Sequence, residues 1–254
     1  MRVVIKIGTS TLTHATGKLN IRRVEKLCRV ISDLKNAGNE IILVSSGAIG
    51  MGVGKLMLSE KPTDMPTKQA CAALGQCELM YVYDNEFSKY NHNIAQILIT
   101  AADVENEENH SNFRNTLFKL IEFGVLPVIN ENDTISTAEI SIGDNDTLGA
   151  IVATSLEADL LILLSDIDGL YDKNPSEPDA KLIPEVNEIT SEIEKMGGGK
   201  GSSLGTGGMA TKIHAAQIAT AKGIDMVIAN GSDPDLLYGI FEGEKIGTRF
   251  YGRK

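Results

Sequence analysis

The sequence predicts an α/β protein with an open, mainly parallel β-sheet flanked by helices on both faces, a three-layer sandwich. Runs rich in Ile, Leu and Val alternate with segments of helical periodicity along all 254 residues, which is typical of parallel strands joined by crossover helices. Aromatic residues make up only 5% of the chain, so the core must rest on aliphatic side chains, as buried parallel sheets do. No internal repeat or linker divides the sequence, and we predict a single domain over residues 1–254.

The first half of the chain alternates strands and helices, each for a local reason. Residues 3–8 (VVIKIG) and 40–47 (EIILVSSG) are apolar runs that end in small residues, as buried strands do. Between them, apolar side chains recur at helical spacing over residues 20–37, and Gly38 ends the helix. The same periodicities predict a helix over 67–89, a strand over 94–100, a helix over 111–122 and a strand over 124–130.

The second half continues the alternation after a more polar stretch. Residues 134–143 alternate weakly, which predicts an exposed hairpin. Residues 146–157 predict a helix, and the strongly apolar residues 158–166 predict a buried strand. Residues 168–206 are rich in Pro, Gly, Ser and charge, and they predict loops around a binding site. A helix over 208–222 that ends at Gly223, a strand over 225–230 and an edge strand over 247–250 complete the predicted order.

Composition excludes several classes of partner. The formal net charge of −10 opposes binding to nucleic acid and to anionic membranes. No apolar run approaches 18 residues, so we expect no helix that spans a membrane. The chain enters a strand at its first residues and has three cysteines without a disulfide framework. We therefore expect no signal peptide, reduced thiols and a cytoplasmic location.

Polar and glycine residues recur at the carboxyl ends of the predicted strands. In open α/β sheets, ligands bind at this edge. The residues that fall there are Lys6 and Gly8, Ser45 to Gly47, Asn130 to Asp133, Ser165 and Asp166, and Asn230 and Gly231. The sequence therefore predicts one ligand site at the carboxyl edge of the sheet.

Two lysines, of which Lys6 belongs to this set, point to an anionic ligand. Lys6 interrupts an apolar strand, and burying an ammonium group is costly unless it meets an anion. The alternative for Lys6 is an edge strand whose lysine prevents aggregation. Lys212 lies about one turn inside the helix that follows the glycine-rich run 197–208, where backbone amides and the helix dipole suit phosphate. The alternatives there are a flexible surface loop and a solvated lysine.

Two further stretches suggest substrate contacts. Residues 44–54 (VSSGAIGMGVG) place glycines either for close approach of backbone to a ligand or for tight packing. Residues 129–146 (INENDTISTAEISIGDND) are dense in Asn and Asp, and helix capping explains only one of the residues 144–146. Carboxylates and amides that face a phosphate site suggest binding of an ammonium group and ordering of the lysines. The four histidines share no metal or triad spacing, so no metal ligand is assigned.

Taken together, these residues resemble the amino acid kinase family, over nearly the whole chain. The motifs, in the family's order, are KIGTS (6–10), VSSGAI (44–49), PVINEND (127–133), AEISIGDND (138–146), LLSDIDGLY (164–171) and GTGGMATK (205–212). The pairing of INEND with GDND resembles the branch of the family that phosphorylates the γ-carboxylate of L-glutamate with ATP and Mg²⁺, the first step toward proline. Ser165 stands where relatives often have threonine, a change that keeps the hydroxyl group.

The resemblance assigns roles to the motif residues. It implies that Ser46, Gly47, Asp133 and Asn145 bind glutamate, that Lys6 and Lys212 neutralise the transition state, and that Asp146 orders the two lysines. For the nucleotide, it implies contacts from Lys6, Gly8, Ser165, Asp166, Gly205, Thr206, Gly207, Gly208, Met209, Ala210, Thr211 and Lys212. Glutamate would bind to about residues 1–150 and the nucleotide to about residues 151–254.

The resemblance also implies partners and leaves alternatives open. It implies feedback inhibition by proline and a homo-oligomer, a dimer or a tetramer. Many relatives carry a C-terminal PUA domain, and none is expected here. One alternative is a kinase for another carboxylate or phosphate substrate. The other is a regulator that binds a nucleotide or proline without catalysis, although such a sensor needs affinity and not the charges that stabilise a transition state.

Overall fold

The computed structural model describes residues 1–14, 18–136, 145–197 and 208–253. The strands in these residues are β1 (Arg2–Ile7), β2 (Glu40–Val44), β3 (Ile94–Ile99), β4 (Leu126–Glu131), β5 (Leu160–Ser165), β6 (Leu170–Tyr171), β7 (Leu182–Ile183), β8 (Glu185–Val186), β9 (Asp225–Asn230) and β10 (Thr248–Phe250). The helices are α1 (Thr9–Leu12), α2 (Ile21–Asn36), α3 (Ala48–Lys55), α4 (Met65–Ser88), α5 (Ala101–Glu105), α6 (Glu107–Glu122), α7 (Asn145–Ser155), α8 (Ser191–Met196), α9 (Met209–Thr220) and α10 (Leu236–Glu242).

Eight of the strands form one open sheet in the order β3-β4-β2-β1-β5-β9-β10-β8. All neighbours are parallel except β9 and β10. The order runs outward from the contact between β1 and β5, which is a topological switch point of the kind where α/β proteins bind ligands. The predicted fold class, a mainly parallel sheet with helices on both faces, is confirmed.

Alternation along the strands divides the core into two layers. One face of the sheet packs against α6, α7 and α9, and the other packs against α2, α4 and α10. In β1, Val3, Ile5 and Ile7 face the second group of helices, whereas Val4 faces the first. Because side chains alternate along a strand, Lys6 lies on the same face as Val4, beneath α7 and α9.

Three differences from the sequence predictions have local causes. Residues 247–250 are not an edge strand, because the two-residue strand β8 pairs outside β10. Helix α3 was not predicted, since the glycines at 50, 52 and 54 hide its periodicity. Short elements, β6 to β8 and α8, form within the segment interpreted as loops. The predicted hairpin over 134–143 falls mainly on residues 137–144, outside the described residues.

The packing of α3 against α4 explains one of these glycines. A Cβ atom on Gly52 would overlap the backbone of Cys71, and one on Gly75 would overlap the carbonyl oxygen of Ala48. The two helices therefore touch backbone to backbone, a contact that only glycine allows. At Gly52, tight packing accounts for the residue without a ligand.

Within the described residues, no helix has the length and apolar character needed to cross a bilayer.

Candidate functional site

A cluster of charged side chains, the ion cluster, lies at the carboxyl end of β1. Asp146 Oδ1 lies 2.6 Å from Lys6 Nζ, and Asp146 Oδ2 lies 2.9 Å from Lys212 Nζ. The Thr211 hydroxyl donates a further hydrogen bond to Oδ2 at 3.0 Å. Residues far apart in sequence thus meet at one carboxylate, which holds the two ammonium groups on its two oxygens.

Burial makes this cluster stronger than a surface ion pair. The exposed fractions are 1% for Asp146, 4% for Lys212 and 8% for Lys6. Burial alone would raise the pKa of Asp146, but the charges and hydrogen bonds of Lys6 and Lys212 outweigh it, so the pKa of this carboxyl group is lowered. Asp146 is therefore ionised at neutral pH, and the cluster carries one excess positive charge.

The backbone around the cluster explains why each member stands where it does. Lys6 belongs to β1, whose position between β2 and β5 excludes the edge-strand explanation. The stem of Lys6 passes beneath Gly149 of α7, where a Cβ atom would lie 3.4 Å from the lysine Cβ. Asp146 lies in the first turn of α7, where the helix dipole stabilises a carboxylate.

Lys212 lies in the first turn of α9, where the same dipole disfavours a cation. Its ion pair with Asp146 compensates for that position. Helix α9 begins after Gly208, which has no side chain to cap the first-turn amides of Met209, Ala210 and Thr211. Those amides and Lys212 together form a positive end suited to phosphate. The predicted nucleotide contacts Gly205, Thr206 and Gly207 lie outside the described residues.

A second group of predicted residues meets at the end of β2. Asn145 Nδ2 donates to the hydroxyl of Ser46 at 2.8 Å and to the carbonyl oxygen of Ser45 at 2.9 Å. Gly47 follows with φ of +99°, a left-handed conformation that turns the chain from β2 into α3. Asn145 precedes Asp146 directly, so this group adjoins the ion cluster.

Asp133 lies on a small acidic cavity beside α3 and α4. The cavity, about 10 Å³ in volume, is lined by Ala48, Ala72, Gln76, Leu98, Glu131, Asn132, Asp133 and Thr134. Burial, followed by the nearby charge of Glu131, raises the pKa of Asp133 to about 6. Glu131 is itself buried and accepts a hydrogen bond from Ser136 at 2.8 Å. Two carboxyl groups in a confined space favour binding of a cationic group.

The predicted nucleotide contacts on the other side of the switch point are spread along the edge. The amide of Gly8 donates to Leu164 O at 3.1 Å, and a Cβ atom on Gly8 would lie 3.7 Å from Lys6 Nζ. Ser165 is buried and donates to Asp166 at 3.2 Å, whereas Asp166 is exposed. Gly8 thus lets its backbone lie beside the ammonium group of Lys6.

The structure places at this site one side chain that the sequence analysis did not name, Gln76, and it buries Glu131, which was included only within the range Asn130 to Asp133. Gln76 is 6% exposed and accepts a hydrogen bond from Asn130 at 3.0 Å. A signal for it exists in the sequence, because Gln76 falls on the apolar stripe of α4 between Ala72 and Leu79. Glu131 belongs to the INEND motif, but no periodicity distinguishes its buried position from an exposed one.

Comparison with known proteins shows extensive similarity in sequence. The model of the amino acid kinase family matches residues 1–230. A glutamate 5-kinase of Clostridium perfringens is 54% identical over the whole chain, which covers 96% of that relative. A glutamate 5-kinase of Listeria monocytogenes is 49% identical over the whole chain and is covered to 94%. A glutamate 5-kinase of Caldanaerobacter subterraneus is 53% identical and longer, and the chain covers 68% of it.

Solved structures show the same fold at lower identity. A carbamate kinase from Giardia lamblia bound to AMP-PNP superposes with a TM-score of 0.70 at 24% identity, with 99% of this chain and 98% of that chain covered. An isopentenyl phosphate kinase from T. acidophilum superposes with a TM-score of 0.67 at 18% identity, with coverage of 98% and 100%. Since the family model spans most of the chain and several relatives share about half of its residues, the chain belongs to the amino acid kinase family.

Proposed function

We propose that this chain transfers the γ-phosphoryl group of ATP to the γ-carboxylate of L-glutamate, giving γ-glutamyl phosphate and ADP, the first step toward proline. The full-length relatives named glutamate 5-kinase support this assignment. The single structural observation that carries it is the buried cluster of Lys6, Asp146 and Lys212 at the topological switch point.

The chemistry needs charge neutralisation more than acid–base catalysis. A carboxylate is ionised at pH 7 and is already a nucleophile, so the reaction requires no general base. One oxygen of the glutamate γ-carboxylate forms a bond to the γ-phosphorus, and the bond from that phosphorus to the bridging oxygen of ADP breaks. The main obstacle is repulsion between the two anions, which positioning and fixed positive charges overcome.

The lysines are placed for that task. Asp146 holds Lys6 and Lys212 on its two oxygens, so both ammonium groups keep their positions when the substrates bind. The excess positive charge of the cluster stabilises the charge that develops on the transferred phosphoryl group. The first-turn amides of α9 add donors on the side of Lys212. Mg²⁺ enters with ATP as a substrate complex, since phosphate oxygens are ligands that it prefers.

On the acceptor side, the amide and hydroxyl groups of Asn145 and Ser46 and the carboxylate of Asp133 would hold glutamate. The closeness of Asn145 and Ser46 to the cluster supports this role, because Asn145 and Asp146 are consecutive. The nucleotide would lie beside Gly8, Ser165 and Asp166, which belong to the strands on either side of the switch point. The glutamate half at about residues 1–150 and the nucleotide half at about residues 151–254 would thus meet at β1 and β5.

Two further features of the proposal rest on resemblance. Feedback inhibition by proline and assembly into a dimer or tetramer stay predictions. A cytoplasmic location is also proposed, and it is supported by the three cysteines, all of which are free thiols.

The decisive experiment is a hydroxamate assay. The purified chain is incubated with Mg-ATP, hydroxylamine and L-glutamate, and the trapped acyl phosphate is measured together with ADP. Parallel reactions contain L-aspartate or N-acetylglutamate. Hydroxamate with L-glutamate alone is the expected result. Turnover with another substrate, or ATP binding without turnover of any of the three, would overturn the proposal.

A further inference from the structure

A continuous chain of side-chain amides runs from the acceptor site into α4 and β3. Asn145 Nδ2 donates to Asn130 Oδ1 at 3.1 Å, and Asn130 Nδ2 donates to Gln76 Oε1 at 3.0 Å. Gln76 Nε2 then donates to Gln96 Oε1 at 3.0 Å. Asn130 and Gln76 are 1% and 6% exposed. Each of the first three amides donates to the next one along the chain, so these hydrogen bonds point in one direction and reinforce one another.

Backbone groups fix the direction of this chain. The amide N–H of Glu131 donates to Asn130 Oδ1 at 2.9 Å, so this atom of Asn130 must be the oxygen. The carbonyl oxygen of Ser45 accepts from Asn145 Nδ2, so this atom of Asn145 must be the nitrogen. Asn130 Nδ2 therefore points toward α4, where Gln76 supplies its acceptor.

This arrangement decides which atom of Asn145 can meet a substrate. The three acceptors that described residues offer to the Asn145 side chain all lie around Nδ2, so one of its two N–H groups is shared between two acceptors. Its carbonyl oxygen is thereby left to accept a hydrogen bond from a ligand. L-Glutamate has one donor group at neutral pH, the α-ammonium group, since both carboxylates only accept.

We propose that Gln76 is a positioning residue for substrate recognition: by accepting the hydrogen bond from Asn130, it holds the Asn145 carbonyl oxygen toward the α-ammonium group of glutamate. This inference rests on the proposed function. Without an acceptor at position 76, the buried Nδ2 of Asn130 has no partner on this side, so the Asn130 amide is no longer held in place. Displacement of its oxygen would weaken the hydrogen bond from Asn145, and the oxygen of Asn145 would lose its orientation.

The test compares glutamate with glutarate, which has the same two carboxylates and no ammonium group. Gln76→Met keeps the length of the side chain and removes the acceptor. We expect KM for glutamate to rise about tenfold, the cost of one buried donor without a partner. We expect two values to stay near those of the wild type: KM for Mg-ATP and the inhibition constant of glutarate. Neither ligand has an ammonium group that could contact the Asn145 oxygen.

Two variants separate orientation from general damage to the fold. Gln76→Glu keeps an acceptor for Asn130, and we expect it to restore KM for glutamate toward the wild-type value. Gln96→Met removes only the exposed end of the chain, and we expect a smaller effect than that of Gln76→Met. Thermal unfolding of each variant shows whether the fold is retained.

Several outcomes would overturn the inference. It is wrong if Gln76→Met leaves KM for glutamate within a factor of about two, well below the cost of a buried unpaired donor. It is also wrong if KM for glutamate and the inhibition constant of glutarate rise by the same factor. The same holds if Gln76→Glu raises KM for glutamate as much as Gln76→Met does. Wild-type turnover is measured first. If the wild-type chain is inactive with glutamate, the proposed function and this inference are both wrong. If it is active, the variants test the inference alone.

Discussion

The two sides of the candidate site differ in the kind of polar group that they present. The phosphoryl side uses full charges: two lysines and one aspartate, all nearly inaccessible to solvent. The acceptor side uses neutral amides and hydroxyls around Asn145, with carboxyl groups at Glu131 and Asp133. The two buried carboxyl groups have opposite pKa shifts: Lys6 and Lys212 outweigh burial and lower the pKa of Asp146, whereas burial and the charge of Glu131 raise that of Asp133 to about 6.

This contrast shows what a partner does for a buried carboxyl group. Asp146 meets two cations, so its ionised form is stable and its lysines are held in place. Burial and the neighbouring charge of Glu131 both disfavour the ionised form of Asp133. A bound cation would offset this unfavourable energy. The first carboxylate belongs to the folded structure, and we propose that the second binds a cationic group of a ligand.

Replacing Asp146 should produce the largest effect. Asp146→Asn leaves two buried ammonium groups without their counter-charge, so we expect the free energy of unfolding to fall by about 3–5 kcal/mol. We expect kcat to fall by about 10²-fold or more, because the lysines lose their positions. Urea denaturation and the hydroxamate assay measure the two effects. Asp179→Asn is the matched control, since this exposed carboxylate pairs with Lys173 at the surface and should change neither value.

Removing one lysine should affect the rate more than the stability. In Lys212→Met, Asp146 keeps Lys6 as its partner, so no buried charge is left alone. We expect kcat to fall about 10²-fold, similar to the loss of one oxyanion donor, with a smaller change in unfolding free energy than in Asp146→Asn. Steady-state kinetics at saturating substrates measure the rate. A near-normal kcat would show that Lys212 does not act on the transition state.

Replacing an aspartate by asparagine on the acceptor side should change stability in the direction opposite to Asp146→Asn. Asp133→Asn removes a carboxyl group whose ionisation is unfavourable in the fold, so we expect unfolding free energy at pH 7 to stay equal or to rise. We expect KM for glutamate to rise about tenfold through loss of a charge-assisted hydrogen bond. Loss of stability comparable to that of Asp146→Asn would contradict the contrast between the two carboxylates.

The smallest predicted effect is a dependence on pH. With a pKa of about 6, Asp133 is mostly protonated at pH 5, so we expect KM for glutamate to rise several-fold between pH 7 and pH 5. Because its pKa in the fold exceeds the ordinary 3.8, Asp133 binds its proton more tightly in the folded state. Its contribution to unfolding free energy therefore declines as pH rises from about 4 to about 6. Asp133→Asn should flatten both profiles, and a variant with unchanged profiles would assign the titration to another group.

Much of the candidate site could be predicted from the sequence because its residues break local rules. A lysine in an apolar strand, a lysine behind a glycine run and a cluster of Asn and Asp each conflict with simple packing. The strand ends then brought these residues to one edge, as in other parallel sheets. The structure shows Lys6 and Lys212 on one carboxylate, a pairing that periodicity alone does not define.

Other features depended on contacts between distant residues. Helix α3 contains glycine at three alternate positions, and Gly52 stands there because the backbone of Cys71 lies against it. Strand β8 has only two residues, so its pairing with β10 left no pattern in the sequence. Gln76 resembles any polar residue on a helix until Asn130 is placed opposite. Each of these features is set by tertiary packing and not by local propensity.

The separation of Lys6, Asp146 and Lys212 along the chain also bears on biosynthesis. Protein synthesis proceeds from the N-terminus, so the ribosome releases Lys6 early and releases Lys212 only after all of α7 and β5. Asp146 cannot hold both ammonium groups until residues 6 to 212 have left the exit tunnel and the central strands have paired. A nascent or truncated polypeptide therefore lacks the assembled charges, and competence for phosphoryl transfer becomes a late event in the maturation of each molecule.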